Sequence, residues 1–188
     1  ATTGGTQAIG LQGERTFVYL GPMPRNRSIS DDQIFAALQA LLDTGGDKAV
    51  SFATVAAAVG LAPPTLVQRF GSRDGMVRAA RQAMWAALED RTRAAIASTG
   101  DKGPQGLLKA IGAVDVAAIA ADFRDPDLAQ RAAAWRATVE AALALRLGSG
   151  TKGKEAAALL FAAWQGQALW AVTGDSAFRL KDAAKRLT

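Results

Sequence analysis

The chain has 188 residues and a formal charge of +5; alanine and leucine are abundant, tyrosine occurs once, and cysteine and histidine are absent. That length accommodates one domain, or a small domain joined to a larger one. Without cysteine or histidine, disulfides, thiolate nucleophiles, histidine bases and nearly all zinc sites are excluded, no cofactor is implied, and a cytoplasmic location fits.

The alanine- and leucine-rich composition favours helix nearly throughout, so the expected fold is all-α. No apolar run approaches the ~18 residues of a membrane span. Residues 1–27 read as a flexible leader rich in glycine and threonine, closing with Arg25 and Arg27 after Pro22 and Pro24. Ser30-Asp31-Asp32-Gln33 is a capping-box signature, with Ser30 as cap and Gln33 three residues on. Ile34, Leu38, Leu41 and Leu42 then form the apolar stripe of a first helix, ended by Gly45-Gly46.

Ser51 is a natural N-cap for a second helix, whose inner face carries Phe52, Val55, Ala56 and Val59. Gly60 stops it where a left-handed backbone is needed. Ala62 precedes Pro63 and is therefore biased to the extended geometry of a cap residue. Pro63 and Pro64 occupy the first turn of a third helix, where their missing N–H groups leave no gap. Leu66 and Phe70 turn inward together; Thr65, Gln68 and Arg69 stay outside. Gly71 ends this helix, and Ser72 with Asp74 starts the next. Two short helices joined by a tight glycine turn, the second with a polar outer face, make a helix-turn-helix. Between Ser51 and Arg81, the arginines 69, 73, 78 and 81 face only Asp74. The whole segment 1–81 nevertheless carries eight basic against six acidic residues, so these arginines also fit an ordinary solvated surface.

The stretch Ser51–Met76 resembles the DNA-binding segment of the TetR (tetracycline-repressor) family of bacterial transcriptional regulators. The matching residues are Val55-Ala56, Val59-Gly60-Leu61, Thr65-Leu66, Phe70, Ser72-Arg73-Asp74 and Met76. Three positions depart from the pattern: a small polar cap is usual at Ala62, a phosphate-contacting tyrosine near Val67, and a lysine at Arg73. The resemblance implies a DNA-binding unit over residues 28–75 and a helical ligand-binding and dimerisation domain over 76–188. It places Pro63–Phe70 in the major groove, with Ser51, Pro63, Pro64, Thr65, Gln68, Arg69 and Arg73 at the interface. Pro63 and Pro64 offer only shape and apolar contact, Thr65 a hydroxyl and a methyl, and Gln68 a bidentate partner for adenine. Arg69 and Arg73 flank the helix end and suit phosphates. Arg25 and Arg27 are either a minor-groove arm or a charged linker.

A fourth helix is expected from about Arg73 to Ala97, with Met76, Val77, Ala80, Met84 and Leu88 at helical spacing, so that it links the two units. Further helices are expected at about 104–122, 126–147, 152–173 and 176–187. Gly148–Glu155 nearly spells a phosphate-binding loop, but Glu155 stands where Ser or Thr must hold Mg²⁺, and a helical rather than a strand pattern precedes it. No nucleophile elbow is present, and carboxylate pairs sit at helix surfaces or ends, so an enzyme is not expected. Most aromatic residues of this half serve core packing. Trp85, Phe123 and Trp135 are the candidates for lining a pocket that takes an apolar, uncharged or weakly polar effector. Leu159, Leu160, Ala163, Trp164, Gln167 and Trp170 form the expected homodimer face.

Two functions follow. One is a ligand-responsive regulator, a repressor in the family's commonest mode, that binds a palindromic operator on double-stranded DNA as a homodimer. The alternative is a helical small-molecule-binding or interaction protein whose helix-turn-helix no longer recognises DNA.

Overall fold

A computed structural model describes residues 29–148, 150–174 and 179–187, and every regular element among them is helical. The capping box at Ser30 starts α1 (Asp31–Gly45), with both reciprocal hydrogen bonds to Gln33 in place. After a 3₁₀ turn at Asp47–Ala49 comes α2 (Phe52–Val59), then α3 (Pro63–Phe70). Ser51 caps α2 through a second capping box, completed by the Thr54 hydroxyl. Gly60 between α2 and α3 is left-handed, φ 73° and ψ 30°. Ala62 caps α3 in extended geometry with no side-chain hydrogen bond, and the proline pair follows.

The hinge into α4 (Arg73–Ser98) is sterically tight. Ser72 accepts from the Gly75 N–H, and a Cβ at Gly75 would lie 2.5 Å from the Phe70 carbonyl oxygen. Glycine thus allows α4 to fold back directly on the end of α3. At 26 residues α4 is the longest helix among the described residues, ~39 Å at 1.5 Å per residue.

It joins two separate hydrophobic clusters. Met76 packs with Ile34, Leu38, Val50, Val55, Ala56 and Leu66 of the first three helices. Farther along α4, Trp85, Leu88 and Ala95 belong to the second cluster. That cluster is completed by α5 (Pro104–Ile111), α6 (Val116–Asp122), α7 (Pro126–Leu147), α8 (Thr151–Trp170) and α9 (Leu180–Leu187). The helices α7 and α8 make the largest pairing, and α4 lies against α7.

The structure divides the helix expected over 104–122 in two. Gly112 takes φ 79° after α5, and the Asp115 carboxylate accepts from the Ala118 N–H to cap α6. The two axes differ by 77°. A positive φ followed by a new cap stops the first helix more effectively than the continuing apolar pattern extends it. Helix α8 ends at Trp170 in a 3₁₀ turn, Ala171–Thr173. No single helix among the described residues is long and apolar enough to cross a membrane; only the bent pair α5–α6 reaches that composition, and only when taken together.

Candidate nucleic-acid interface and effector cavity

In α3 the inward arc is Leu66, fully buried, with Phe70 against Phe35 at 5.8 Å between ring centroids. Gln68 falls roughly opposite that arc at ~100° per residue, with Pro64 and Thr65 beside it. All three are exposed, as is Pro63. Val67 forms one shoulder of this surface and remains 44% exposed although apolar. The outer surface of α3 is therefore short, nearly uncharged and able to offer one amide, one hydroxyl and several methyl or methylene groups.

Ser51 sits at the start of α2, and its hydroxyl is occupied in capping. Arg25 and Arg27 lie outside the described residues. The two arginines assigned to phosphates are held inside the unit. One Arg69 terminal nitrogen donates to the Ile29 carbonyl and pairs with Asp31, both at 3.0 Å. Its side chain keeps 35% of its surface exposed.

Arg73 is bound more completely. Its Nε donates to the Val50 carbonyl at 3.0 Å, Nη2 to the Asp47 carbonyl at 2.7 Å and carboxylate at 2.6 Å, and Nη1 to Asp74 at 3.0 Å. Hydrogen bonding to Asp47 raises its pKa above the ordinary guanidinium value. Arg73, expected at a phosphate, is thus hydrogen-bonded within the unit while its side chain keeps 33% of its surface exposed. Nε and Nη2 clamp the 3₁₀ turn and the residue after it to the start of α4, while Nη1 pairs with its neighbour in α4.

Two residues of α6–α7 tie down the next turns of α4. Arg78 pairs with Asp125 at 3.1 Å, and Arg81 with Asp122 at 3.4 Å. Asp122 is buried and also accepts from the Trp85 indole N–H at 2.9 Å. Lower down, Arg131 of α7 grips Glu89 of α4 through two nitrogens, 2.5 and 2.7 Å, and donates to the Gln82 carbonyl. Those bonds hold the Glu89 carboxyl below the usual carboxylate range. The helix that carries the helix-turn-helix is thus tied from Arg78 to Glu89 to the end of α6 and the first turns of α7.

That joint borders a cavity of 470 Å³ between α6, α7 and α8. Phe123, 57% exposed, and Trp135 line it, as does Phe161. Trp85, the third candidate, does not line it. Its side chain is fully buried behind Trp135, edge to face at 6.0 Å between centroids, and belongs to the packing of α4. The alanines 120, 129, 132 and 133 supply the open space. Arg136 and Gln165 bring the polar atoms. Sequence reasoning missed both, although Gln165 and Gln167 are the two polar residues in the apolar second half of α8.

The dimer face expected on α8 separates into two arcs. Leu160 and Trp164 are buried in this chain's own core, Trp164 against Phe161 and Trp135, so they are corrected from interface to core. Leu159, Leu169 and Trp170 are exposed, with Ala163 and Gln167 half-buried beside them. A Cβ at Gly166, on the same side, would meet open space. Before α8, the segment that nearly spells a phosphate loop follows α7, a helix; Gly153 lies inside α8, where a Cβ would collide with the Gly148 carbonyl.

These features define a class: an all-α protein in which a helix-turn-helix is mounted on one long helix that enters a second helical core. The chain has the fold of the TetR-family transcriptional regulators. It is similar to a transcriptional regulator from Rhodococcus sp. Rha1, with 22% identity, a TM-score of 0.61 and coverage of 85% of this chain and 92% of that one. It is also similar to a putative TetR-family transcriptional regulator from Rhodococcus sp., with 18% identity, a TM-score of 0.55 and coverage of 84% and 94%. No protein-family profile and no curated protein matches the sequence.

Proposed function

We propose that this chain is a cytoplasmic, ligand-responsive DNA-binding regulator, a repressor that binds a palindromic operator as a homodimer. The observation that carries the reading is the outer surface of α3. Pro64, Thr65 and Gln68 stand together and exposed on a helix held by the Gly60 turn, Leu66 and the Gly75 hinge. Such a surface suits the major groove, with Gln68 reading adenine and the methyl-bearing residues meeting thymine methyls.

The exposed row on α8 supports pairing of two copies. Leu159, Leu169 and Trp170 are too large an apolar group to leave in water on one helix, and Gly166 permits close approach. The cavity supports an apolar effector. The links from α6–α7 to α4 support its coupling to DNA, because an effector that prefers one position of that joint also prefers one position of α4.

The test is a binding titration with the DNA upstream of the protein's own gene beside scrambled DNA, at two salt concentrations. A site preferred by about a thousandfold or more, with affinity falling steeply with salt, is expected. A second reading has one observation in its favour: Arg69 and Arg73, the cations nearest the end of α3, are both tied internally. It is a helical small-molecule-binding protein that does not recognise DNA. Equal affinity for both DNAs at both salt concentrations selects it.

A further inference from the structure

The described part of the helix-turn-helix unit is acidic. Residues 29–75 hold five aspartates against three cations, Lys48, Arg69 and Arg73. Two of those cations are paired with carboxylates, Arg73 with Asp47 and Asp74, and Arg69 with Asp31. Proteins hold duplex DNA largely by neutralising its phosphates, so this excess of carboxylate works against binding of any sequence. The two paired arginines differ in where they stand. Arg73 clamps the turn before α2, whereas Arg69 belongs to the outer surface of α3. At ~100° per residue Arg69 falls next to Thr65, and Val67 next to Pro64, so these two residues are the shoulders of that surface.

A helix with its side chains is ~10–12 Å across and the major groove ~12 Å wide, so the shoulders of an inserted helix meet the two phosphate strands. Val67 has nothing polar to offer a phosphate, and Arg69 does. The Arg69 Nη1 donates to the Ile29 carbonyl and pairs with Asp31 Oδ1, each at 3.0 Å. A phosphate that reaches this nitrogen also comes close to the Asp31 carboxylate, and the two anions repel. The pair is partly open to water, Asp31 more so than Arg69, and is therefore weak enough to exchange. Resting on the reading of α3 as the helix that enters the major groove, we propose that Asp31 competes with a DNA phosphate for Arg69. Binding exchanges this carboxylate for a phosphate. Asp31 thereby lowers affinity for duplexes of every sequence and leaves discrimination to Gln68 and its neighbours.

Asp32 supplies the control. It is exposed in the same first turn of α1, so Asp32→Asn removes the same charge from the same helix start while leaving the Arg69–Asp31 pair in place. The full chain is titrated into the labelled duplex upstream of its gene and into a scrambled duplex, at two salt concentrations, by fluorescence anisotropy. Asp31→Asn should tighten binding to both about fivefold, the worth of one exposed ion pair that no longer has to break. Asp32→Asn should gain less than half as much. Arg69→Ala should weaken both duplexes and flatten the salt slope by about one unit per reading head. In that background Asp31→Asn should gain no more than Asp32→Asn. Arg69→Gln keeps a donor for the Ile29 carbonyl and should behave like Arg69→Ala, which guards against a folding fault in the alanine variant.

Equal gains from Asp31→Asn and Asp32→Asn overturn the proposal. So does a gain from Asp31→Asn that survives removal of Arg69, unchanged DNA affinity in both Arg69 variants, or binding of neither duplex by the parent and Asp31→Asn proteins. The scrambled duplex separates this outcome from the operator reading. If Asp31→Asn gains as stated on both duplexes while the parent prefers neither, the exchange holds and recognition of an operator is what fails. If the upstream duplex is preferred but the gain is absent, the operator reading stands and the exchange is what fails.

Discussion

Replacing Arg73 with alanine separates two roles that the sequence alone merges. As a phosphate anchor, Arg73 would contribute to DNA affinity and little to stability. The structure makes it a clamp between segments 23 to 26 residues apart, through the Val50 and Asp47 carbonyls. Arg73→Ala removes the donor of the Val50 carbonyl and one of the two donors of the Asp47 carbonyl, which keeps the Val50 N–H, at about 0.5–1.5 kcal/mol for each bond lost. The pairs with Asp47 and Asp74 add little, because both carboxylates are well exposed and water replaces the guanidinium there. The expected loss is therefore about 2 kcal/mol, confined to the cluster of α1–α3.

Tryptophan fluorescence is blind to that loss, since Trp85, Trp135, Trp164 and Trp170 all lie beyond α3. Amide hydrogen exchange across α1–α3, with far-UV circular dichroism during urea unfolding, reads it directly. Arg73→Lys should recover little, because an ammonium cannot reproduce a three-way planar fork. The salt slope of DNA binding should stay unchanged in both variants. Protection within about 0.5 kcal/mol of the parent, together with a slope reduced by about one unit per site, would show the clamp reasoning to be wrong and restore the anchor.

Gln68→Ala should cost ~1–3 kcal/mol on the preferred DNA and relax preference at one base pair per half-site; intact sequence preference, measured by competition with single-base variants, would remove Gln68 as the reader. Glu89 is depressed by Arg131 in the folded chain, so its contribution is present above the ordinary carboxylate value of ~4.3 and lost as pH falls through the lower folded value. Glu89→Gln should accordingly lower stability at neutral pH and flatten its decline in acid, and urea midpoints between about pH 6 and 3 that run parallel to the parent's would contradict this. Trp170→Asp, on the exposed arc of α8, should give a monomeric mass by sedimentation at micromolar concentration with its helicity kept, whereas a dimer that persists would place the interface elsewhere.

What the sequence made legible follows from how far apart the deciding residues are. The capping box at Ser30, the left-handed Gly60 and the proline pair opening α3 are decided within four residues, and each is where local chemistry puts it. The same holds for α7, started by Asp125 before Pro126 and ended before Gly148. The break between α5 and α6 is also local, but Leu107, Leu108, Ile111 and Ile119 continue an apolar pattern across it. The Gly112 stop and the Asp115 cap override that pattern.

Residues whose partners are distant in the chain were not legible. Nothing near Arg73 announces Asp47, and nothing near Trp85 announces Asp122, 37 positions on. Helix α8 is the extreme case, because it is apolar nearly all round and its own period cannot say which arc is core. Only the position of α7 turns Leu160 and Trp164 inward and leaves Leu159 and Trp170 outside. The same packing buries the Gln165 Nε2 and puts Gln165 on the cavity that Phe123, Trp135 and Phe161 also line. A reading head is built from one short stretch and can be recognised from it. The cavity assembled from α6, α7 and α8 has its chemistry fixed by which faces meet, in contacts that no single stretch encodes.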